Sequence, residues 1–499
     1  MSPRRRGGAL ALGLALLLGV LATGAPPRAG EPAPEAEAKP ETEAQGEAEP
    51  EPEQKRPVLD TVYDDERVGG EESEKVDAAL GLVKDTALTA YVSAIGRRLA
   101  RHAPRYRFEY TFRIVDQDEP NAFALPGGFI YISRGLIALS SSEDELANVI
   151  GHEIAHVAAR HAAARQQVAD AMPGIVQFLA MGSLASYSRA QEREADRLGQ
   201  GIAALAGYDP DGMAGFLKDL EFMERLRLGA ARRPGFLDTH PATRQRTAEA
   251  AQRARGIAWE RKPDVARTQE DFLRHLDGLV VGISGAEGVF RGDRFLHADL
   301  GFTIRFPDGW ETRNTHVAVG AIAPDRSAQV VLEHAGKGTD LEKALEAFRK
   351  ESAKARLEIG PPEAVQLGGF PALRADARAS TRFGGVQVLL TFIASSDSTY
   401  RITGVSSGEH ERNRALFLNV ARSFRPLSGE LRDSIEETRL RIVAARGGET
   451  LSDLSTRTGN AWSLNHTAVV NDLFATDTLA PGRLVKVAIS EPYRREARR

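Results

Sequence analysis

The sequence predicts an α+β chain of several units: a mainly helical unit with a short sheet, a small antiparallel α+β unit, and a compact C-terminal module. Three observations carry this. Leu146, Val149, Ile150, Ile154 and Val157 recur at helical spacing behind three serines and three acids. Leu300 to Trp310 alternates like a half-buried strand ending in a turn, and Gln329–Glu333, Val386–Ile393 and Tyr400–Val405 also read as strands, with helical stretches near Asp340–Arg356 and Glu411–Ser423. At 499 residues the chain is also too long for one ordinary domain.

Taken in order, Arg4, Arg5 and Arg6 precede an apolar run from Ala9 to Ala22, followed by Thr23-Gly24-Ala25. This is the pattern of a secretory signal peptide, expected over residues 1–25. Such a run is short for a membrane span. Pro26 and Pro27 leave an uncleaved N-terminal anchor as the alternative. The expected location is periplasmic or cell-envelope, with no transmembrane span after signal cleavage. Residues 26–58, rich in Pro, Glu and Ala, cannot bury enough surface to offset their ordering entropy and are expected to be a disordered tether. The chain has no cysteine, which excludes disulfides and a lipidated N-terminal Cys. The net charge of −4 divides unevenly: residues 1–30 carry four arginines and no acid, and residues 31–54 carry nine glutamates and one lysine. The remainder is balanced, so nothing suggests nucleic-acid binding.

Residues 59–268 form the expected first unit. A helix over Leu88–Arg101, with Tyr91, Ile95 and Leu99 on one stripe, leads to a strand near Tyr110–Val115. A helix follows over Glu143–Gln167, where Ser142 and Glu145 have capping-box spacing. Inside it stands Gly151-His152-Glu153-Ile154-Ala155-His156. Four residues along a helix is a little over one turn, so His152 and His156 project from one face and can bind one metal ion. Glu153 stands where a general base would deprotonate water. The motif reads as a zinc peptidase site with one Zn2+ per chain. A third ligand is required, and without cysteine it must be His, Asp or Glu. In Ser188–Gly199, Glu192 and Asp196 share a helix face while Glu194 points elsewhere. Glu192 suits the third ligand and Asp196 a carboxylate orienting an imidazole; the alternative is a solvated charged face. Val176–Leu184 is apolar, broken by Gly182 and too short to span a membrane. Tyr208-Asp209-Pro210 starts a helix through Met223.

His152 to His161 reads H-E-x-x-H-x-x-x-R-H, Glu192 to Asp196 reads E-x-E-A-D, and Asn121 to Gly128 reads N-A-F-A-L-P-G-G before the strand-like Phe129–Ile132. This trio, over residues 60 to 255, resembles the zinc endopeptidase family of the CAAX prenyl proteases and the HtpX-type quality-control proteases, in its soluble exported, BepA-like branch. The resemblance implies a zincin-type domain with His152, His156 and Glu192 as metal ligands, Glu153 as catalytic base and Asp196 as supporting carboxylate. It implies that Asn121–Gly128 is an edge strand beside the cleft, where extended substrate pairs by main-chain hydrogen bonds and Gly127 and Gly128 permit close approach. Asn121 is either a substrate contact or a turn residue. Arg160 and His161 are structural partners of the active-site helix. Thr239-His240-Pro241 with Arg246 resembles the T-H-P-x-x-x-x-R of exported relatives. His240 is therefore either a fourth zinc ligand that holds the enzyme latent or a helix-start residue before Pro241.

Residues 269–428 form an antiparallel α+β accessory domain that faintly resembles PsbP-like modules and shows no catalytic constellation. Residues 436–490 resemble a LysM module through Gly448-Glu449-Thr450-Leu451 and Leu479-Ala480-Pro481-Gly482-Arg483-Leu484-Val485-Lys486-Val487. Such modules often bind peptidoglycan. Asn471-Asp472-Leu473 only partly fits the central Asn-Gly turn of such modules, so a wall-binding unit and a structural cap both stand open. The expected function is zinc-dependent cleavage of exported or envelope polypeptides in protein quality control. The alternatives are a proteolytically silent zinc-stabilised scaffold or chaperone on the cell wall, and a wall hydrolase using the same metal.

Overall fold

The computed structural model describes residues 62–104, 108–162, 187–226, 235–241, 244–262, 265–266, 268–353, 357–381 and 384–494. The expected signal peptide, the tether and the Val176–Leu184 stretch lie outside them.

Helix α1 (Val62–Leu80) precedes α2 (Thr86–Ala100), whose first turn is capped by the Asp85 carboxylate and which buries Leu88, Val92, Ile95 and Leu99. Strands β1 (Thr111–Val115), β2 (Ala122–Leu125) and β3 (Phe129–Ser133) form a sheet in the order β1-β3-β2, with β1 parallel and β2 antiparallel to β3. Strand β2 is thus an edge, as the resemblance implies. Its backbone leaves through a tight turn, Pro126–Gly128.

The chain then forms α3 (Arg134–Leu139) and α4 (Glu143–Ala158). The Ser142 hydroxyl accepts the Glu145 N–H at 3.2 Å, the first half of the expected capping box. The second half is displaced: the Glu145 carboxylate accepts the N–H and hydroxyl of Ser141, each at 2.7 Å. The expected run to Gln167 is interrupted, because α4 stops at Ala158 and Arg160 takes the left-handed conformation at φ 53°. A non-glycine residue there breaks the helical ladder. Helices α5 (Arg189–Ala206), α6 (Gly212–Leu226) and α7 (Arg244–Ala254) follow, with a single turn at Phe236–Thr239 between the last two.

The core of this unit gathers Ile95, Ile132, Ile150, Ile154, Phe216 and Phe236. Phe272, Leu273, Leu276, Leu279 and Val281 belong to the same cluster. Packing therefore joins residues 269–281 to the helical unit rather than to the sheet unit they were expected to open.

Beyond them, strands between Glu311 and Ser406 form an eight-stranded antiparallel sheet. Helix Leu341–Ser352 buries Phe348 in one apolar cluster of this unit and helix His410–Ser423 buries Phe417 in another. The C-terminal unit pairs strands Glu436–Ala444 and Leu484–Pro492 antiparallel around helices Leu451–Thr458 and Leu464–Val470. It has its own small core of Leu451, Leu454, Val485 and Val487, yet Leu440, Val470 and Ala488 enter the core of the helical unit. Lys486 is fully buried and its ammonium donates to the carbonyls of Ala138 (2.9 Å), Leu139 (3.3 Å) and Ser140 (2.8 Å) at the end of α3. No helix among the described residues is long and apolar enough to cross a membrane.

Candidate metal centre

The helix that carries H-E-x-x-H meets α5 through two glycines. A Cβ on Gly151 would lie 2.9 Å from the Gly199 carbonyl, and one on Gly199 would lie 2.7 Å from the His152 nitrogen. Only glycine permits this contact. It brings the buried face of α5, with Glu192 and Asp196, against the two imidazoles.

His152 Nε2 and His156 Nε2 are 3.0 Å apart, and Glu192 Oε1 is 3.4 Å from the latter. His240 joins them: its Nδ1 lies 3.2 Å from His152 Nε2 and 2.9 Å from Glu192 Oε1. Each of the four residues offers a donor atom within 4.8 Å of the others, and all four are buried. Facing imidazole nitrogens can share one proton at most, and burial keeps water from satisfying the rest. Both oxygens of the fully buried Glu153 lack a hydrogen-bond partner among the described residues, and Oε1 is 3.5 Å from His240 Nε2. Converging lone pairs on three imidazoles and a carboxylate suit a zinc ion, which takes nitrogen and oxygen donors in fourfold coordination.

A second set of groups aims these ligands. Asp196 Oδ1 stands 3.0 Å from His152 Nδ1, and Arg246 clasps the same carboxylate through two bonds of 2.7 and 2.8 Å. Arg246 also reaches Glu192 Oε2 at 2.7 Å and donates to the His240 carbonyl at 3.3 Å. His161 Nδ1 lies 2.9 Å from His156 Nδ1. Such contacts select tautomers and hold ring planes. The His240 ring stacks on Phe236, with centroids 4.5 Å apart, and the His240 backbone N–H donates to the Phe236 carbonyl at 2.8 Å.

The charges follow from the packing. Burial raises Glu192, but the charge of His240 and hydrogen bonds from His156 and His240 outweigh it and hold the carboxylate well below its ordinary range. Burial likewise raises Asp196, and Arg246 and His152 overturn it. Burial lowers His152, but Asp196 and Glu192 together raise it by more. His156 is driven well below its usual value by burial. Burial pushes Glu153 upward, against His240 and His152.

The other sequence-predicted residues lie outside this cluster. Glu194 is half exposed, 3.5 Å from His161. Asn121 immediately precedes β2, its N–H donating to Ser133 Oγ at 2.8 Å, and its buried Oδ1 has no hydrogen-bond partner among the described residues. Gly127 and Gly128 come close to this chain's own residues on the side where a Cβ would stand. A Cβ on Gly127, at φ 77°, would lie 2.6 Å from Glu66 Cα, and one on Gly128 would lie 3.3 Å from the Glu109 carbonyl.

Two neighbours were not legible beforehand. Tyr187 stacks on His156 at 4.0 Å, and its N–H donates to Thr239 at 3.3 Å. Asp65 of α1 receives two bonds from Arg160, at 2.6 and 2.9 Å. An aromatic residue just before a helix cap, and an acid 95 positions from its partner, carry no local signal.

Comparison with known proteins agrees with this geometry. Residues 86–254 match the model of Peptidase family M48. The chain is 32% identical over 216 residues to the beta-barrel assembly-enhancing protease of Escherichia coli strain K12, covering 38% of this chain and 43% of that protein. It is 30% identical over 174 residues to the mitochondrial metalloendopeptidase OMA1 of Schizosaccharomyces pombe, covering 32% of this chain and 50% of that protein. The chain thus spans half or less of the length of these curated relatives. A cyanobacterial PsbP from Synechocystis overlaps 29% of this chain and 98% of its own at 16% identity, with a TM-score of 0.24 that carries no argument. Together the family match and the relatives support a metalloendopeptidase, and zinc is the metal that M48 peptidases use.

Proposed function

We propose that this chain is a zinc-dependent endopeptidase that cuts exported or envelope polypeptides. The observation that carries the reading is the buried convergence of His152, His156, Glu192 and His240 beside Glu153, whose oxygens have no hydrogen-bond partner among the described residues.

His152, His156 and Glu192 would hold zinc. When bound, the metal acts as a Lewis acid that lowers the pKa of water toward about 7 and polarises the scissile carbonyl. Glu153 would take a proton from the attacking water and return it to the leaving amine. Its burial favours holding that proton between the two events. Asp196 and Arg246 keep the ligand rings and the Glu192 carboxylate in place. An extended peptide would add to the free side of β2, with main-chain bonds supplying affinity.

His240 is the proposed latch. Its ring lies within the same cluster, where with zinc bound it would take up the position a water needs. Replacing Glu153 by Gln should leave one zinc per chain and lower casein cleavage by about 10²–10⁴-fold, the span of a general base. Replacing His240 by Ala should raise cleavage. Full activity of the Gln variant would end the mechanism, and unchanged or lower activity of the Ala variant would end the latch.

Location and biological role are further proposals. The arginines and apolar run before residue 26 support export, and the named activity of the bacterial relative supports a role in envelope protein quality control. For the LysM-like unit, one observation favours a structural cap over a wall-binding module. Lys486 of its signature is buried against α3, and the Asn471 side chain is spent on Thr467 and on both backbone groups of Lys486.

A further inference from the structure

Beside the metal centre lies a small cavity whose walls come from three places. Leu125, Pro126 and Gly127 of β2 and its turn form one side, His156 and Val157 of α4 with Tyr187 another, and the Asp65–Arg160 pair the far end. It encloses ≈ 10 Å³, near the space that about one water needs.

Helix α1, which supplies Asp65, precedes the residues that match the peptidase family. It is nonetheless a fixed wall. A Cβ on Gly69 would stand 1.8 Å from the Pro126 carbonyl, so helix and turn are in backbone contact. Val76 and Leu80 pack with Phe123, Leu125 and Tyr131 beneath the sheet. Asp65 is 2% exposed and held by two short bonds. The left-handed Arg160, immediately after the active-site helix, aims its guanidinium at this carboxylate.

A peptide strand laid along β2 points successive side chains to opposite faces. With a peptide laid on β2, a side chain next to the scissile bond would meet this cavity. Its charges already neutralise each other, so neither an acidic nor a basic side chain gains by entering.

We propose that the cavity is the subsite for the substrate side chain flanking the scissile bond, and that the Asp65–Arg160 pair restricts it to side chains no larger than alanine or serine. This rests on the peptidase reading. Asp65 and Arg160 set specificity without touching the reacting atoms.

The test is a cleavage-site profile. Zinc-loaded full-length protein, wild type and His240→Ala, is incubated with a random decapeptide mixture and the cut positions are read by mass spectrometry. One position beside the cut should be dominated by Gly, Ala and Ser. Asp65→Ala lengthens the cavity and removes the carboxylate from Arg160, so Leu, Asp and Glu should rise there at least fivefold relative to Ala. Ala162→Leu fills the cavity from a half-buried rim position and should narrow the profile toward Gly. If Asp65→Ala does not fold, Ala162→Leu decides alone. Variants that cut with the wild-type profile overturn the subsite and leave the peptidase reading standing. If neither wild type nor His240→Ala cuts any peptide, the peptidase reading falls and the subsite with it.

Discussion

Two buried polar clusters sit at opposite ends of the same stretch of chain, and they differ in who supplies the cation. At the start of α4, the ammonium of Lys486 meets three carbonyls, with the carboxyls of Glu145 and Asp219 among its charged neighbours. Donors and acceptors are matched from within the protein. At the other end of α4, acceptor faces acceptor: His152 Nε2 lies 3.0 Å from His156 Nε2 and 3.2 Å from His240 Nδ1, with Glu192 alongside. Buried lone pairs in surplus are costly unless something positive arrives. The first cluster is architecture, and the second asks for a metal.

That contrast can be broken in three ways. The largest effect should come from stripping zinc. Cleavage should vanish, and restoring zinc at about a thousandfold over its Kd should add about 4 kcal/mol to stability, since a ligand held only by the folded state stabilises it by mass action. A stripped protein that melts no earlier than the loaded one would show that the imidazole cluster is satisfied without a cation.

Next in size is Lys486→Met. Three buried carbonyls lose their charged donor, so denaturation should show a loss of about 3 kcal/mol, the scale for removing one partner of a buried charged set. Zinc content should stay at one per chain. Loss of zinc in this variant would join the two clusters into one unit.

The smallest effect is a slope with pH. Burial, with Glu145 nearby, pushes the Asp219 carboxyl up to about 8, far above the unfolded value near 4. Between those values the folded state keeps a proton that the unfolded chain has lost, so this group's stabilising contribution is complete in acid and fades as pH rises toward 8. Lys486, lowered to about 8 by burial, acts oppositely, adding stability from about pH 8 to its unfolded value. Urea midpoints of wild type and Asp219→Asn should converge at pH 5, apart from a constant offset, and separate at pH 8 in favour of the Asn variant. Parallel profiles would mean that Asp219 titrates normally.

Much of the metal centre could be read in one dimension because helical spacing is local. The four-residue step from His152 to His156 fixes which way both rings face, and the same step puts Glu192 and Asp196 on one face of α5. The helix start at Ser142 is equally local. The edge strand at Ala122–Leu125 was implied by family resemblance rather than by pattern, and the sheet order places it at the edge. Where expectation and structure part, a distant residue intervenes. Helix α4 ends early as Arg160 turns to a carboxylate 95 residues back. Residues 269–281 join the helical core because Phe272 and Leu276 find their apolar partners there.

The sequence alone thus determined the chemistry on offer: an imidazole pair, a base between them, a carboxylate on a matching helix face and a histidine beside Pro241. These depend on spacing within single elements, which backbone geometry makes almost obligatory. Only tertiary structure decided how closely α4 and α5 approach at Gly151 and Gly199, that His240 joins the buried cluster of His152, His156 and Glu192, that Asp65 of α1 lines the cavity beside it, and that the C-terminal unit anchors on α3 through Lys486, a contact spanning 348 residues. Burial creates those facts: a charge or lone pair removed from water must find a partner in three dimensions, whatever its distance along the chain.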